Sequence, residues 1–198
     1  MQSVLKKGFF IAALATLAAP AFSQSTTPAP VVEQRKENQQ DRIANGVQSG
    51  QLTAGETANL EKKESALNKE ENRMEKRDDG NLTTADKTRL TRQQNRLSRN
   101  IYRDKHNGRV QNTNPKTEVG KRAENQQDRI AQGIKSGQLT PSETAHLEGR
   151  EAAINKEVKS DRAANGGTLT PAERRQVNRQ QNRTSNAIYR KKHNARTQ

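Results

Sequence analysis

Arginines recur at steps of three and four residues in one stretch of the chain, from Arg89 to Arg103. On a helix this spacing places the side chains on one face. That face lies opposite Leu90, Leu97 and Ile101, at about 100° of rotation per residue. Guanidinium groups in such a row pair with phosphates by charge, with little sequence selectivity. The candidate polyanion-binding residues are Arg89, Arg92, Arg96, Arg99, Arg103, Arg179, Arg183 and Arg190.

The anion that such a face would contact is a phosphate of lipopolysaccharide, of an anionic lipid or of a nucleic acid. Nucleic acid is the least expected of the three, because base stacking needs aromatic side chains. Outside the first 23 residues, the chain carries only Tyr102 and Tyr189 as aromatics. A row of charges is also typical of a solvated helix face on a basic protein, and that interpretation stays open.

A second candidate chemistry lies in four similar turns, GQLTAGE, GNLTTAD, GQLTPSE and GTLTPAE. They resemble the second half of an EF-hand calcium loop, which has glycine at the sharp turn and a carboxylate as the last ligand. A calcium loop also needs oxygen ligands in its first half, where this chain has residues such as Val47, Ile134 and Ala164. The carboxylates of this calcium alternative are Glu56, Asp78, Asp79, Asp86, Glu143 and Glu173.

The same turns resemble those of Spy/CpxP-type periplasmic chaperones, which are small exported helical proteins with paired Leu-Thr-x-x-Gln motifs. This chain has Glu or Asp in place of that Gln, so the resemblance is one of class. It implies exported helical hairpins with a chaperone-like role. The chain is also similar to many small exported helical proteins of Gram-negative bacteria, a class that implies no particular activity.

Helix capping explains the letters of these turns without a metal. Each turn has a glycine that can end a helix and, three residues later, a threonine that can cap the next one. A Glu or Asp three residues after each threonine completes a reciprocal capping box. The predicted caps are Thr53, Thr83, Thr140 and Thr170. The predicted helices span residues 34–48, 54–77, 84–106, 121–135, 141–164 and 171–193.

Residues 35–111 align with residues 122–198 without a gap, and more than half of the positions are identical. We call these segments copy 1 and copy 2; a tandem duplication is the simplest explanation. Narrow apolar seams on three helices per copy predict an all-α fold, either a compact bundle or an extended chain of helix hairpins. The expected domains are a signal peptide (1–23), an extended leader (24–34), a first helical repeat (35–107), a linker (108–121) and a second repeat (122–198).

The first residues have the layout of a secretory signal peptide, with Lys6 and Lys7 before a short apolar run and small residues before Gln24. Cleavage after Ser23 predicts a periplasmic or secreted protein with no transmembrane segment in the mature form. The chain has no cysteine, so it forms no disulfide. Loss of Lys6 and Lys7 lowers the net charge from +14 to +12, which still favours anionic surfaces.

Hydrophobic residues make up only 28% of the chain, too few for a thick core. Glu64 and Glu71 even stand at positions where a helix bundle would prefer leucine. The element QQ(D/N)R occurs four times, beginning at Gln39, Gln93, Gln126 and Gln180. These glutamines either bond between helices or are simply soluble helix formers, and we favour the second interpretation.

Nothing in the sequence favours catalysis: there is no cysteine, no Gly-x-Ser-x-Gly elbow and no phosphate-binding glycine loop. No histidine pair has metal-ligand spacing, so we expect no cofactor and no small-molecule substrate. We therefore predict a non-enzymatic exported protein that binds anionic envelope components, or unfolded or partner proteins in a chaperone-like role. Calcium binding and a structural, oligomeric role in the envelope are the alternatives.

Overall fold

The computed structural model describes residues 30–196, and within that range the chain forms six α-helices and no strand. The predicted all-α class is therefore confirmed. The predicted signal peptide lies outside the described residues. Among the described helices, none is both long and apolar enough to cross a bilayer. The helices are α1 (Pro30–Gln48), α2 (Ala54–Arg77), α3 (Thr84–Lys105), α4 (Glu118–Lys135), α5 (Pro141–Ala164) and α6 (Pro171–Lys192).

Local capping fixes where four of these helices begin. At the start of α2, the Thr53 hydroxyl accepts from the backbone N–H of Glu56, and the Glu56 carboxylate accepts from the backbone N–H of Thr53. The same reciprocal pair begins α3, α5 and α6. Each box satisfies backbone donors that the first helical turn leaves free. The four caps are Thr53, Thr83, Thr140 and Thr170.

Two helices begin earlier than the sequence suggested. α1 starts at Pro30, so the last five residues of the expected leader are helical. Proline suits the first helical position, and burial of Val32 in the core holds the added turn. α4 starts at Glu118, inside the expected linker, because the Thr117 hydroxyl accepts from the backbone N–H of Gly120 and Val119 is buried.

The turn after α1 folds a leucine back onto its own helix. Gly50 ends the turn with φ at +69°, a conformation that glycine adopts at little cost. The backbone N–H of Leu52 then donates to the carbonyl of Gly46 over 2.9 Å. Leu52 is fully buried, and its side chain lies where a side chain at Gly46 would have to go. Gly133 and Leu139 repeat this arrangement after α4.

The two copies pack through equivalent helices. α2 packs on α5 and α1 packs on α4, while α3 and α6 each pack on the two other helices of their own copy. α2 and α5 run antiparallel, since Gly55 near the start of α2 faces Ala152 while Glu61, further along α2, faces Glu148. Because like packs on like, the arrangement has an approximate twofold symmetry.

One apolar core runs through both copies. It contains leucines and isoleucines from all six helices together with Leu52, Leu82 and Leu139 of the turns, and a smaller cluster lies around Val119 and Val177. The sequence left a compact and an extended arrangement open, and the structure has the compact one. The core is shared between the copies, because each copy alone has too narrow an apolar seam to enclose one. The largest fully buried apolar side chains are Ile43, Leu52, Leu60, Leu90, Leu97, Ile101, Ile130, Ile134, Leu139, Leu147 and Ile188.

We predict that Gly133→Ala destabilises the protein, although alanine is the better helix former. The new methyl group would lie 2.6 Å from Cδ1 of the fully buried Leu139, so the turn would have to shift. Overpacking of this kind costs about 1–3 kcal/mol. Gly149→Ala is the matched control, because its methyl group meets no atom within 4 Å. Urea unfolding should show a lower midpoint for Gly133→Ala and an equal or higher one for Gly149→Ala; equal effects would contradict the packing argument.

Candidate functional site

The predicted arginine row lies on the outer surface of α3. All five of its side chains are exposed, and the opposite face of the helix buries Leu90, Leu97 and Ile101 as expected. Arg89 is paired with Glu70 at 2.7 Å, and Arg103 with Asp104 at 3.1 Å. The three remaining arginines of the row have no ion pair within the described residues. In copy 2, α6 carries the exposed Arg179, Arg183 and Arg190. Because α3 and α6 pack on helices of different copies, the arginines of α3 and those of α6 do not form one continuous surface.

A larger concentration of positive charge lies in a groove between α2 and α5, which we call the basic groove. Its volume is about 1060 Å³, and α2 and α5 form its walls. Small side chains and Met74 make its floor, and Glu70 is its one acidic residue. Sequence reasoning placed only one of its cations, Arg89, in a binding surface, because the walls come from helices of different copies. The cationic side chains are Lys62, Lys69, Arg73, Arg77, Arg89 and Arg150.

Most of this positive charge is not compensated. Arg89 and Gln93 occupy the Glu70 carboxylate, and Arg77 binds Asp78 and Asp86. Four cations have no ion pair within residues 30–196, and they are Lys62, Lys69, Arg73 and Arg150. Four free charges on two facing walls create a positive potential that attracts anions.

His146, on the α5 wall, reports the local positive charge. Its pKa is lowered, first by burial and then by the positive charges of Arg150 and Lys191. A lowered pKa keeps this imidazole neutral at physiological pH, so it can donate one hydrogen bond and accept another. An anion bound nearby would raise the pKa of His146, because a negative charge favours the protonated ring.

The basic groove is where the two copies have diverged. Copy 2 has neutral residues at positions equivalent to four of the groove cations. The counterparts of Lys62, Arg73, Arg77 and Arg89 are Gly149, Ser160, Ala164 and Gln176. Conversely, His146 on the α5 wall stands where copy 1 has Asn59. The approximate symmetry therefore does not repeat the groove's charge, and the basic character belongs to one end of the α2–α5 pair.

Four of the six carboxylates of the calcium alternative, those of Glu56, Asp86, Glu143 and Glu173, are engaged in capping. Glu56 accepts from Asn107 at 2.7 Å in addition to its own cap, and Asn194 binds Glu143 in the same way. Hydrogen bonds from Asn107 and Thr53 lower the pKa of Glu56, although burial opposes them. Glu173 accepts from Asn165, while Asp78 and Asp86 both bind Arg77 and Asp79 is exposed. Within residues 30–196, no three or more acidic, histidine or cysteine side chains are grouped so that they could hold a metal ion.

The glutamines of the QQ(D/N)R elements bond between helices, so the interpretation we favoured was wrong. Gln39 donates to the carbonyl of Gln94 at 2.7 Å, and Gln94 donates to the carbonyl of Val32 at 2.9 Å. Gln126 and Gln181 form the equivalent pair of bonds in copy 2. All four side chains are buried, and they tie α1 to α3 and α4 to α6. The signal in the sequence was that the doubled glutamine recurs at equivalent positions.

Glutamates occupy the centre of the molecule. Glu61 and Glu64 of α2 and their counterparts Glu148 and Glu151 of α5 are all fully buried, and we call these four the carboxyl layer. Glu148 accepts from Gln127 at 2.9 Å, and Glu61 accepts from Gln40 at 3.3 Å. Neither carboxyl oxygen of Glu64 or Glu151 has a hydrogen-bond partner. A buried charge without partners is costly, so these groups favour their neutral, protonated form.

Burial raises the pKa of every member of the carboxyl layer. The pKa of Glu64 is raised to about 7, and those of Glu148 and Glu151 are raised to about 8. The pKa of Glu61 is also well above its usual value, because burial and the nearby Glu64 and Glu148 disfavour its ionised form. The sequence marked Glu64 as an anomaly at an apolar position, but only the packing of the helices shows that its side chain is buried.

No protein-family model, curated protein or solved structure matches this chain.

From the burial of the carboxyl layer we predict that the free energy of unfolding falls as the pH rises. In the unfolded chain these carboxyls ionise near 4.5, and in the folded chain three of them ionise at about 7 to 8. The folded state binds these protons up to a higher pH than the unfolded state does. The contribution of the protonated carboxyls to the free energy of unfolding is therefore complete below about pH 4.5 and is lost as the pH rises through about 8. We expect the urea midpoint to fall between about pH 5 and about pH 9.

Glu148→Gln should make this decline shallower, since glutamine fills the same space and does not ionise. The Gln127 side chain can turn to accept from the new amide, because its Oε1 atom is unpartnered. Glu37→Gln, at an exposed position of α1, is the control and should leave the slope unchanged. A midpoint that rises with pH in the unmodified protein would contradict the assignment.

Proposed function

We propose that this protein binds polyanions, and that the basic groove between α2 and α5 is its main contact surface. The observation that carries the proposal is the set of four unpaired cations, three on α2 and one on α5, that line a groove with a single, already neutralised acid. Flexible lysines and arginines on opposite walls suit a ligand with several phosphate or sulfate groups. The protein acts by binding, without catalysis or a cofactor.

The surface charge supports anion binding better than capture of unfolded clients. A chaperone that holds clients needs exposed apolar surface. Among the described residues, the large apolar side chains that are exposed are Val31, Tyr102, Val110 and Tyr189. The two tyrosines stack on His106 and His193, with ring centroids 4.2 Å apart, so their faces are partly covered. The cations, by contrast, are exposed in rows and in the groove.

The expected export narrows the class of ligand. An exported protein meets phosphorylated glycolipids and anionic lipids of the envelope before it meets nucleic acid. Phosphates on such surfaces attract clustered lysines and arginines at about 1 kcal/mol per residue near the surface. We therefore propose the phosphate groups of envelope glycolipids or lipids as the natural ligand, with the α3 arginines as a second, weaker contact.

We predict that Arg73→Ser combined with Arg150→Ala weakens binding to a heparin oligosaccharide, used as a soluble polyanion. Serine is the residue that copy 2 carries at the position equivalent to Arg73. Loss of two groove contacts should lower the affinity roughly tenfold and reduce the slope of log affinity against log salt by about two. Isothermal titration at several salt concentrations measures both quantities.

Two further variants locate the contact surface. Lys116→Ala with Lys121→Ala removes the same charge from exposed positions outside the groove, and it should leave affinity within about twofold of the original by the same counterion argument. Arg96→Gln with Arg99→Asn tests the α3 row and should have an intermediate effect. Equal losses in all three variants would show that only net charge matters and would overturn the groove as the site.

A further inference from the structure

The carboxyl layer lies beneath the basic groove and joins its two walls. Glu61 and Glu64 belong to α2, Glu148 and Glu151 belong to α5, and these two helices also form the groove. Glu61 is close enough to Glu148 for the Glu148 carboxyl to disfavour ionisation of Glu61. The walls of the groove are therefore packed around buried acidic groups that come from both of them.

The surroundings of the layer cannot neutralise four negative charges. From α1, Lys36 faces Glu64, but it is already bound to Glu71 at 2.9 Å and to Glu33 at 3.0 Å. From α4, Gln127 gives a neutral donor to Glu148, and from α1, Gln40 gives one to Glu61. Glu33, Glu71 and Glu75 add further negative charge on that side. The cavity that Glu64 lines also holds Lys135 of α4, but Glu37 and Asp41 line it too. Ionisation of the layer would therefore leave several unpaired carboxylates in the interior.

We propose that the carboxyl layer is a pH-dependent latch on the basic groove, closed while the layer is protonated and open once it is ionised. Mutual repulsion and the need for hydration then separate α2 from α5 locally. Each helix keeps its contacts with α3 or α6, where Gln93 of α3 donates to Glu70 of α2 and Gln180 of α6 donates to Glu157 of α5. This inference rests on the proposed function: the protein holds its anionic ligand at acidic and neutral pH and releases it at alkaline pH.

The opening can be measured without reference to any ligand. The chain contains no cysteine, so Asn72→Cys on α2 and Ser142→Cys on α5 create a unique pair of labelling sites, both exposed. Spin labels at these sites report the separation of the two walls by pulsed electron resonance. We expect a single short distance at pH 6 and a longer, broader distribution at pH 9.5, while circular dichroism at both values remains helical.

Glutamine substitutions test whether the carboxyl layer is the cause. The variant Glu61→Gln, Glu64→Gln, Glu148→Gln and Glu151→Gln should keep the short distance at both pH values and bind the heparin oligosaccharide equally at both. If the fourfold variant does not fold, Glu148→Gln with Glu151→Gln should reduce the pH-dependent change by about half, since the four groups act in two equivalent pairs. Glu37→Gln with Glu118→Gln, at exposed positions, should behave as the original protein.

The outcomes separate the latch from the proposed function. A wall distance that is the same at pH 6 and pH 9.5 overturns the latch, and so does a loss of helical signal in step with the distance change, which would indicate general unfolding. A glutamine variant that still opens at pH 9.5 also overturns it. Opening without heparin binding at either pH would refute the polyanion proposal while leaving the opening itself intact.

Discussion

The packing of α2 against α5 around buried carboxyl groups is the constraint on which the rest of the structure depends. This contact joins the two copies and closes the shared apolar core. It also brings Lys69 and Arg73 of one copy into the same groove as Arg150 of the other. A chain with few apolar residues also uses polar ones in its interior, and protonated glutamates take no more space than leucines. The cost is that burial of these groups is favourable only in their neutral form.

Buried glutamines hold α3 against α1 and α6 against α4, where the apolar contact alone is narrow. Each buried amide donates to a main-chain carbonyl of a neighbouring helix, as Gln39 and Gln94 do in copy 1. Such bonds add modest free energy, but they fix the register of one helix against another because a misplaced amide would be left buried without a partner. The apolar seam can therefore be narrow without making the packing ambiguous.

Approximate twofold symmetry explains both what the copies share and where they differ. Positions that build the interface, such as Glu61 and Glu148, are the same in both copies, because each contacts its counterpart or the surroundings of its counterpart. Positions that line the groove do not have to pack against their counterparts in the other copy, so they can differ between the copies. At one end they have become arginine, as at Arg73, while the equivalent Ser160 is neutral. A symmetric scaffold thus carries an asymmetric surface.

The sequence by itself determined the helices and their turns, because capping is local: a threonine, a glycine and an acid within a few residues decide where α2 and α5 begin. It also determined that the arginines of α3 face away from Leu90 and Leu97, since helical periodicity alone requires it. Tertiary structure alone decided which helices meet. The basic groove and the carboxyl layer each combine residues of two copies, such as Arg73 with Arg150 and Glu61 with Glu148, and no local pattern specifies that α2 packs on α5. The pKa of a buried glutamate depends on water excluded by distant segments, so the sequence marked Glu64 only as an oddity.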